Sequence, residues 1–277
     1  MIALAAPSPR TVRVAGVQLG GTAPVEVIAG PCSVESAEQL DATASAVRVL
    51  GVRLLRGGAF KPRTSPHSFQ GLGQRGLDIL REVADALGMG VVSEALATED
   101  VPAVARAADM IQIGARNMDN RALLRAAAGT GRPILLKRGP AASIDEVIEA
   151  AEYVLSCGAE DVVLCERGQR TFEPATRNSV DIVAVAELRV RTGLPVVIDP
   201  SHGTGRRDLV APIAAAGVAA GADGVLVEVH PDPDRALSDG PQSLRADAFE
   251  PFMRRVHAVA AAMGRARGVI AGAADAG

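Results

Sequence analysis

The sequence predicts an α/β fold, a single (β/α)8 TIM barrel over residues 25–264, preceded by an N-terminal extension of residues 1–24 that forms a short strand or hairpin. Three observations predict it. Short β-branched runs alternate eight times with stretches of helical spacing, the pattern of βα units around a parallel sheet. The turn after the first run, Gly30-Pro31-Cys32-Ser33, is not the glycine-rich dinucleotide turn that an open doubly wound sheet usually carries. Finally, a charged or metal-binding residue lies just past every run, as expected where strand ends converge on one mouth.

In chain order, residues 11–20 alternate apolar and polar side chains around Gly16 and supply the hairpin. After Pro24 come apolar runs at 25–29, 52–55, 90–93, 110–113, 133–136, 161–165, 195–198 and 224–227, each short enough to be a buried parallel strand. Helical spacing fills 37–50, 73–88, 100–107, 121–128, 144–157, 179–192, 209–220 and 247–263. Ser143 with Glu146 three residues on makes a capping box for the fifth helix, and Gly88, Gly158 and Gly193 fall just past helix ends. Residues 265–277, rich in Ala and Gly, are expected to be a disordered tail.

Composition narrows the function. A net charge of −3 leaves no electrostatic footprint for nucleic acid or an anionic membrane, and one Tyr, five Phe and no Trp leave no base-stacking platform. The apolar stretch 210–229 is interrupted by Gly217, Gly221, Asp223, Gly224 and Glu228, so it reads as helix, turn and strand rather than a membrane span. The N-terminus lacks the basic segment and long apolar run of a secretory signal. Cys32, Cys157 and Cys165 are an odd number without CxxC spacing, which points to reduced thiols in a cytoplasmic protein.

Two constellations should meet at the barrel mouth. The first is basic, with Arg56, Lys61, Arg63, Arg116, Lys137 and Arg167 past strands two, four, five and six. A lone arginine is more often a solvated loop charge, but six converging on one rim of an acidic chain repel unless anions sit among them, so more than one phosphate or carboxylate is expected. Of 29 basic residues only Lys61 and Lys137 are lysine, and both fall in this set, where a compact ammonium is wanted rather than a planar fork. Residues 54–66 add Thr64 and Ser65 between Pro62 and Pro66, a stiffened loop suited to phosphate oxygens. The second constellation is Cys32, His202, Glu228 and Asp239. Singly, a cysteine past a strand is usually a small buried hydrophobe and a histidine is as often a cap; together they form a mixed S, N and O set suited to a divalent transition ion. Barrel closure brings strand one beside strand eight, so Cys32 can meet Glu228. His230 is read as a neighbour, and His67 and His257 as ordinary structural histidines.

These residues sit in segments that resemble a known family. Ile28-Ala-Gly-Pro-Cys-Ser-Val-Glu35, Gly57-Gly-Ala-Phe-Lys-Pro-Arg-Thr-Ser65, Gln112-Ile-Gly-Ala-Arg-Asn117, Leu135-Leu-Lys-Arg-Gly139, Cys165-Glu-Arg-Gly168, Asp199-Pro-Ser-His202 and Ala236-Leu-Ser-Asp-Gly-Pro-Gln242 are similar to the type I 3-deoxy-D-arabino-heptulosonate 7-phosphate (DAHP) synthases, a branch shared with 3-deoxy-octulosonate 8-phosphate (KDO8P) synthases. The resemblance runs from about residue 12 to about residue 260. It implies condensation of phosphoenolpyruvate with erythrose 4-phosphate, the first step of the shikimate route to aromatic amino acids and chorismate. It implies one divalent ion (Mn, Fe, Co or Zn) on Cys32, His202, Glu228 and Asp239. It further implies Ala115, Arg116, Lys137 and Arg167 around the phosphate of phosphoenolpyruvate, with Arg56 and Lys61 at its carboxylate. Pro62, Arg63, Thr64 and Ser65 would take the aldose phosphate. Lys61, Glu94, Cys32 and His202 are then the catalytic set, with Asp199 and Arg138 supporting them.

Rival readings follow from the same residues. KDO8P synthases usually carry Lys-Ala-Asn-Arg-Ser where this chain has Lys61-Pro-Arg-Thr-Ser65, which favours the shorter aldose. A Schiff-base aldolase acting through Lys137, or a non-catalytic phosphosugar-binding barrel, are rivals from other classes. Only about two dozen residues precede the first barrel strand, so feedback through an appended domain is not expected; a separate chorismate mutase is a candidate regulatory partner, and a homo-oligomer, dimer or tetramer, is expected.

Overall fold

The structure is a computed structural model and describes residues 8–61 and 67–266. Pro62, Arg63, Thr64, Ser65 and Pro66, the anion loop expected from the sequence, lie outside the described residues, as does most of the expected tail.

The extension is a hairpin. Strands β1 (Thr11–Val14) and β2 (Val17–Gly20) pair antiparallel across a two-residue turn in which Ala15 and Gly16 both have positive φ, 45° and 80°. That conformation matches the twist of the flanking strands. Eight parallel strands follow: β3 (Glu26–Gly30), β4 (Leu54–Arg56), β5 (Gly90–Ala95), β6 (Met110–Ile113), β7 (Ile134–Lys137), β8 (Val162–Glu166), β9 (Val196–Ile198) and β10 (Gly224–His230). β10 pairs with both β9 and β3, which closes the barrel and places Glu228 opposite Gly30. A two-residue strand β11 (Leu244–Arg245) adds to the end of β10. Outside lie α1 (Ala37–Arg48), α2 (Gln74–Ala86), α3 (Val101–Ala107), α4 (Arg121–Ala128), α5 (Ile144–Ser156), α6 (Ile182–Thr192), a single-turn α7 (Pro200–Thr204), α8 (Arg207–Ala219) and α9 (Phe249–Ala262).

The interior explains where the chemistry sits. Each barrel strand sends one side chain into a common inner layer: Ile28, Leu54, Val92, Met110, Leu135, Val163, Val197 and Leu226. The hairpin's Val12, Val14, Val17 and Leu19 pack on that layer and stop the N-terminal end with apolar surface. Burying each such side chain is worth about 1.5–3 kcal/mol. Side chains on a strand alternate faces. Two residues further along, the inward positions are therefore Gly30, Arg56, Glu94, Gln112, Lys137, Cys165, Asp199 and Glu228. The same alternation that fills the floor with hydrocarbon puts charge on the layer above it.

The expected strands and helices are found with boundary changes that have local causes. α6 begins at Ile182 rather than residue 179, because Ser179 bridges back to Gln169 and the Asp181 side chain accepts the Ala184 N–H as the helix cap. Asp199 caps α7, which ends at Gly205 in the left-handed conformation before α8 starts. Ser143 and Glu146 form the capping box, and Gly193 is the left-handed end of α6. Arg265, assigned from sequence to the start of the tail, is tied down: its guanidinium donates to the Ala23 carbonyl at 2.8 Å and meets Asp223 at 2.9 Å.

Candidate active site and cation cluster

At the C-terminal ends of the strands lies a cavity of about 230 Å³. Lys61, Glu94, Ala115, Arg116, Lys137, Arg167, His202 and Asp239, all singled out from sequence, line it. Among the residues that sequence reasoning did not single out are Arg170, Arg177 and Asn178 from the β8–α6 loop, and Ser238 beside Asp239. The signal for the first three was the run Arg167 to Asn178 itself, with three arginines following a strand end. Six cations therefore face two carboxylates in this cavity, a field that holds anions. Arg63, Thr64 and Ser65 cannot be placed.

Cys32, His202, Glu228 and Asp239 come together beneath one side of the cavity, each offering one donor atom, with the four atoms within 4.8 Å of one another. Cys32 and Glu228 are buried. The Cys32 thiol donates to Asp239 Oδ2 at 3.1 Å, and Lys61 Nζ donates to Cys32 Sγ at 3.0 Å and to its carbonyl at 2.6 Å. Burial and then the neighbouring Glu228 push the thiol up to about 12, against the smaller opposing pull of Lys61. His202 Nδ1 is engaged by Asp199 Oδ2 at 2.8 Å, which leaves Nε2 directed at Glu228 Oε1, 3.3 Å away. One sulfur, one imidazole nitrogen and two carboxylates, with a carboxylate behind the histidine, fit a divalent transition ion.

Two buried carboxylates tie the cation cluster to the basic residues. Asp199 bridges Lys137 Nζ and His202 through Oδ2, while Oδ1 accepts the His202 backbone N–H at 2.9 Å. Burial alone would raise its pKa, but His202 and Lys137 hold it well below the usual carboxylate range. Glu228 Oε1 accepts from Arg56 Nη1 at 2.7 Å. Arg56, expected at a substrate carboxylate, is buried beside the cluster; its Nη1 donates to Glu228 and to the Pro31 carbonyl, and its Nε has no hydrogen-bond partner among the described residues. Arg138 donates to Glu166 at 2.9 Å and Asp181 at 3.1 Å, so it braces the β8–α6 loop from below. β10 continues to His230, which pairs with Glu35 at 3.4 Å rather than with the cluster.

Glu94 stands across the cavity. Gln112 Nε2 donates to its Oε2 at 2.8 Å. Gly114 makes room for it: a Cβ there would sit 2.9 Å from the Glu94 carboxyl carbon and closer still to Oε1.

Comparison with known proteins agrees with this geometry. The family model described as the DAHP synthetase I family matches residues 6–263. A phospho-2-dehydro-3-deoxyheptonate aldolase from Thermotoga maritima is 54% identical over 238 residues, 86% of this chain and 70% of that protein. A 2-dehydro-3-deoxyphosphooctonate aldolase from Rhodopseudomonas palustris is 35% identical over 90% of this chain and 92% of its own length. Among solved structures, the Thermotoga maritima DAHP synthase superposes with a TM-score of 0.91 at 50% identity, covering 94% of this chain and 76% of that one. A truncated form of the Thermotoga maritima synthase gives 0.87 at 47% identity, covering 94% and 95%. With its closed barrel and nearly its whole length matched, the chain belongs to the DAHP synthetase I family.

Proposed function

We propose that this protein is a metal-dependent DAHP synthase that joins phosphoenolpyruvate to erythrose 4-phosphate, releasing orthophosphate. The observation that carries this reading is the adjacency of two unlike sites at one mouth: a cavity rich in fixed cations and a four-donor S, N, O cluster, linked through Lys61. The 54% identity to a DAHP synthase against 33–35% to the phosphooctonate aldolases supports the four-carbon aldose over arabinose 5-phosphate.

In this reading Arg116, Lys137 and Arg167, with Ala115 beside them, hold the phosphate of phosphoenolpyruvate, and Lys61 takes its carboxylate. Arg56 acts from below by fixing Glu228. Pro62, Arg63, Thr64 and Ser65 receive the aldose phosphate. The cations orient two anions that would otherwise repel, which is mostly a positioning effect. An ion on Cys32, His202, Glu228 and Asp239, whether Mn, Fe, Co or Zn, would supply Lewis acidity toward the aldehyde oxygen. Carbon three of phosphoenolpyruvate forms the new bond to the aldehyde carbon, water adds at carbon two, and phosphate departs with cleavage of the carbon–oxygen bond. Lys61 Nζ holds a proton at the border of the two sites, and Glu94 faces the reacting enol.

The same reading makes the protein a cytoplasmic enzyme of aromatic amino acid biosynthesis, assembled as a homo-oligomer. Its three free cysteines fit a reducing compartment. The deciding assay is phosphate release from phosphoenolpyruvate with each aldose, before and after exhaustive chelation and after adding back each metal. Turnover with erythrose 4-phosphate that vanishes on chelation is expected. Preference for arabinose 5-phosphate, or full activity without metal, would overturn the proposal.

A further inference from the structure

Gln242 is a neutral side chain that reaches Glu228 from a loop, and none of the chemistry above uses it. It is 3% exposed, and it lies in the single 3-10 turn Gly240–Gln242 that follows Asp239. Asp239 immediately precedes the turn, and the Gln242 backbone N–H donates to the Asp239 carbonyl at 3.2 Å, which holds the two residues together. Asp239 reaches Cys32, and Gln242 Nε2 donates to Glu228 Oε2 at 2.7 Å. With Arg56 on Oε1 and Gln242 on Oε2, the Glu228 carboxylate is fixed at both oxygens.

The other end of the amide is also engaged. Gln242 Oε1 accepts from Arg177 Nη1 at 3.1 Å, and the same nitrogen lies 3.3 Å from Asp239 Oδ1. Arg177 belongs to the β8–α6 loop that also carries Arg167 and Asn178, so one guanidinium from the anion side touches the supports of both acidic members of the cluster. Asp239 needs such support. It adopts a left-handed backbone, φ 52°, which a non-glycine residue keeps only where its surroundings demand it. Its carbonyl accepts from Ser243 Oγ at 3.1 Å, and Arg207 donates to the Gly240 carbonyl at 3.1 Å.

We propose that Gln242 is a positioning residue for the cation site and that Arg177 latches it and Asp239 from the anion-binding loop, so that cation affinity depends on a residue pair outside the four donors. The inference rests on the assignment of Cys32, His202, Glu228 and Asp239 as ligands. Outer groups that fix ligating carboxylates typically change metal affinity by about 10–100-fold when removed.

The test is titration of metal-free protein with Co2+, followed by calorimetry and by the visible and near-ultraviolet bands of a cobalt–thiolate centre at Cys32. Gln242→Leu removes the donor to Glu228, and Gln242→Glu keeps its shape while removing the N–H and adding charge. Both should weaken Co2+ binding by about tenfold or more, with circular dichroism and metal-free thermal unfolding showing that each variant is folded. Arg177→Gln should weaken it by several-fold, and Arg177→Lys should restore part of the loss. Folded Gln242 variants that bind Co2+ within about twofold of wild type, with unchanged bands, would overturn the inference while leaving the ligand assignment intact. Wild-type protein that binds no Co2+ and shows no thiolate band would instead remove the ligand assignment on which it rests.

Discussion

Replacing Lys137 by Met should destabilise the protein more than any change at the cavity rim. Asp199 is fully buried, and its Oδ2 is shared between Lys137 Nζ and the His202 ring. Met fills the space of the lysine stem but removes the counter-charge, so a carboxylate with 1% side-chain exposure is left with the imidazole and one backbone N–H. Breaking a buried pair from one side costs about 3–5 kcal/mol, a large share of the about 5–15 kcal/mol that holds a typical native chain together. Urea denaturation at neutral pH reads this directly. The sign of its pH dependence follows from the geometry: Lys137 helps to keep Asp199 ionised, so in Lys137→Met burial raises the Asp199 pKa and the destabilisation shrinks as the solution is acidified. Arg116→Met, which removes an exposed rim charge, is the control and should cost about 0.5 kcal/mol or less. A loss below about 1 kcal/mol for Lys137→Met, or one that does not shrink toward lower pH, would refute the argument.

Three further outcomes are expected. Gly114→Ala has an ordinary backbone, φ −66°, and should fold normally, yet its methyl group displaces Glu94 and turnover should fall at least about tenfold; Gly30→Ala, at φ 154° with its methyl 3.0 Å from the Arg56 backbone carbon, should instead fail to accumulate as folded protein, and equal behaviour of the two would contradict this account. Lys61→Arg should cut turnover by about a hundredfold or more despite the retained charge, because one compact ammonium donates to both the Cys32 carbonyl at 2.6 Å and Cys32 Sγ at 3.0 Å, a geometry that a longer, planar guanidinium does not reproduce; near-normal activity would show that the ammonium is not needed. Metal-free protein should lose stability on acidification. Burial pushes Glu228 and Asp239 upward, but His202 with Arg56 for Glu228, and His202 with the Cys32 thiol and Arg177 for Asp239, bring both below the ordinary range, Asp239 to about 2. A depressed folded pKa stabilises above the unfolded range near pH 4 and is lost as pH falls through the folded value, so melting temperature should drop between about pH 4 and about pH 2, with Asp239 worth about 2 kcal/mol; a flat profile across that window counts against the pairing of these carboxylates with His202, Arg56 and Arg177.

The sequence by itself determined the barrel and most of the site because both are written in short-range patterns. Alternation of apolar runs and helical stretches locates the βα units, and a strand of period two fixes which residues continue past its end toward the mouth. Cys32, Glu94, Lys137, His202 and Glu228 were legible for that reason. What the tertiary structure decided are contacts between elements far apart in the chain, which no local pattern encodes. Arg56 and Lys137 occupy the same strand-end position, and each meets a buried carboxylate from a distant strand: closure of β10 on β3 brings Glu228 to Arg56, and Asp199 reaches Lys137. Asp199, read as a supporting residue, is a carboxylate shared by Lys137 and His202, 62 residues from one and three from the other. Arg177 stands in an arginine-containing run after a strand end and Gln242 closes the segment that holds Asp239, but nothing local in either stretch pairs them; they meet only because two loops, separated by 65 residues, fold over the same pair of carboxylates.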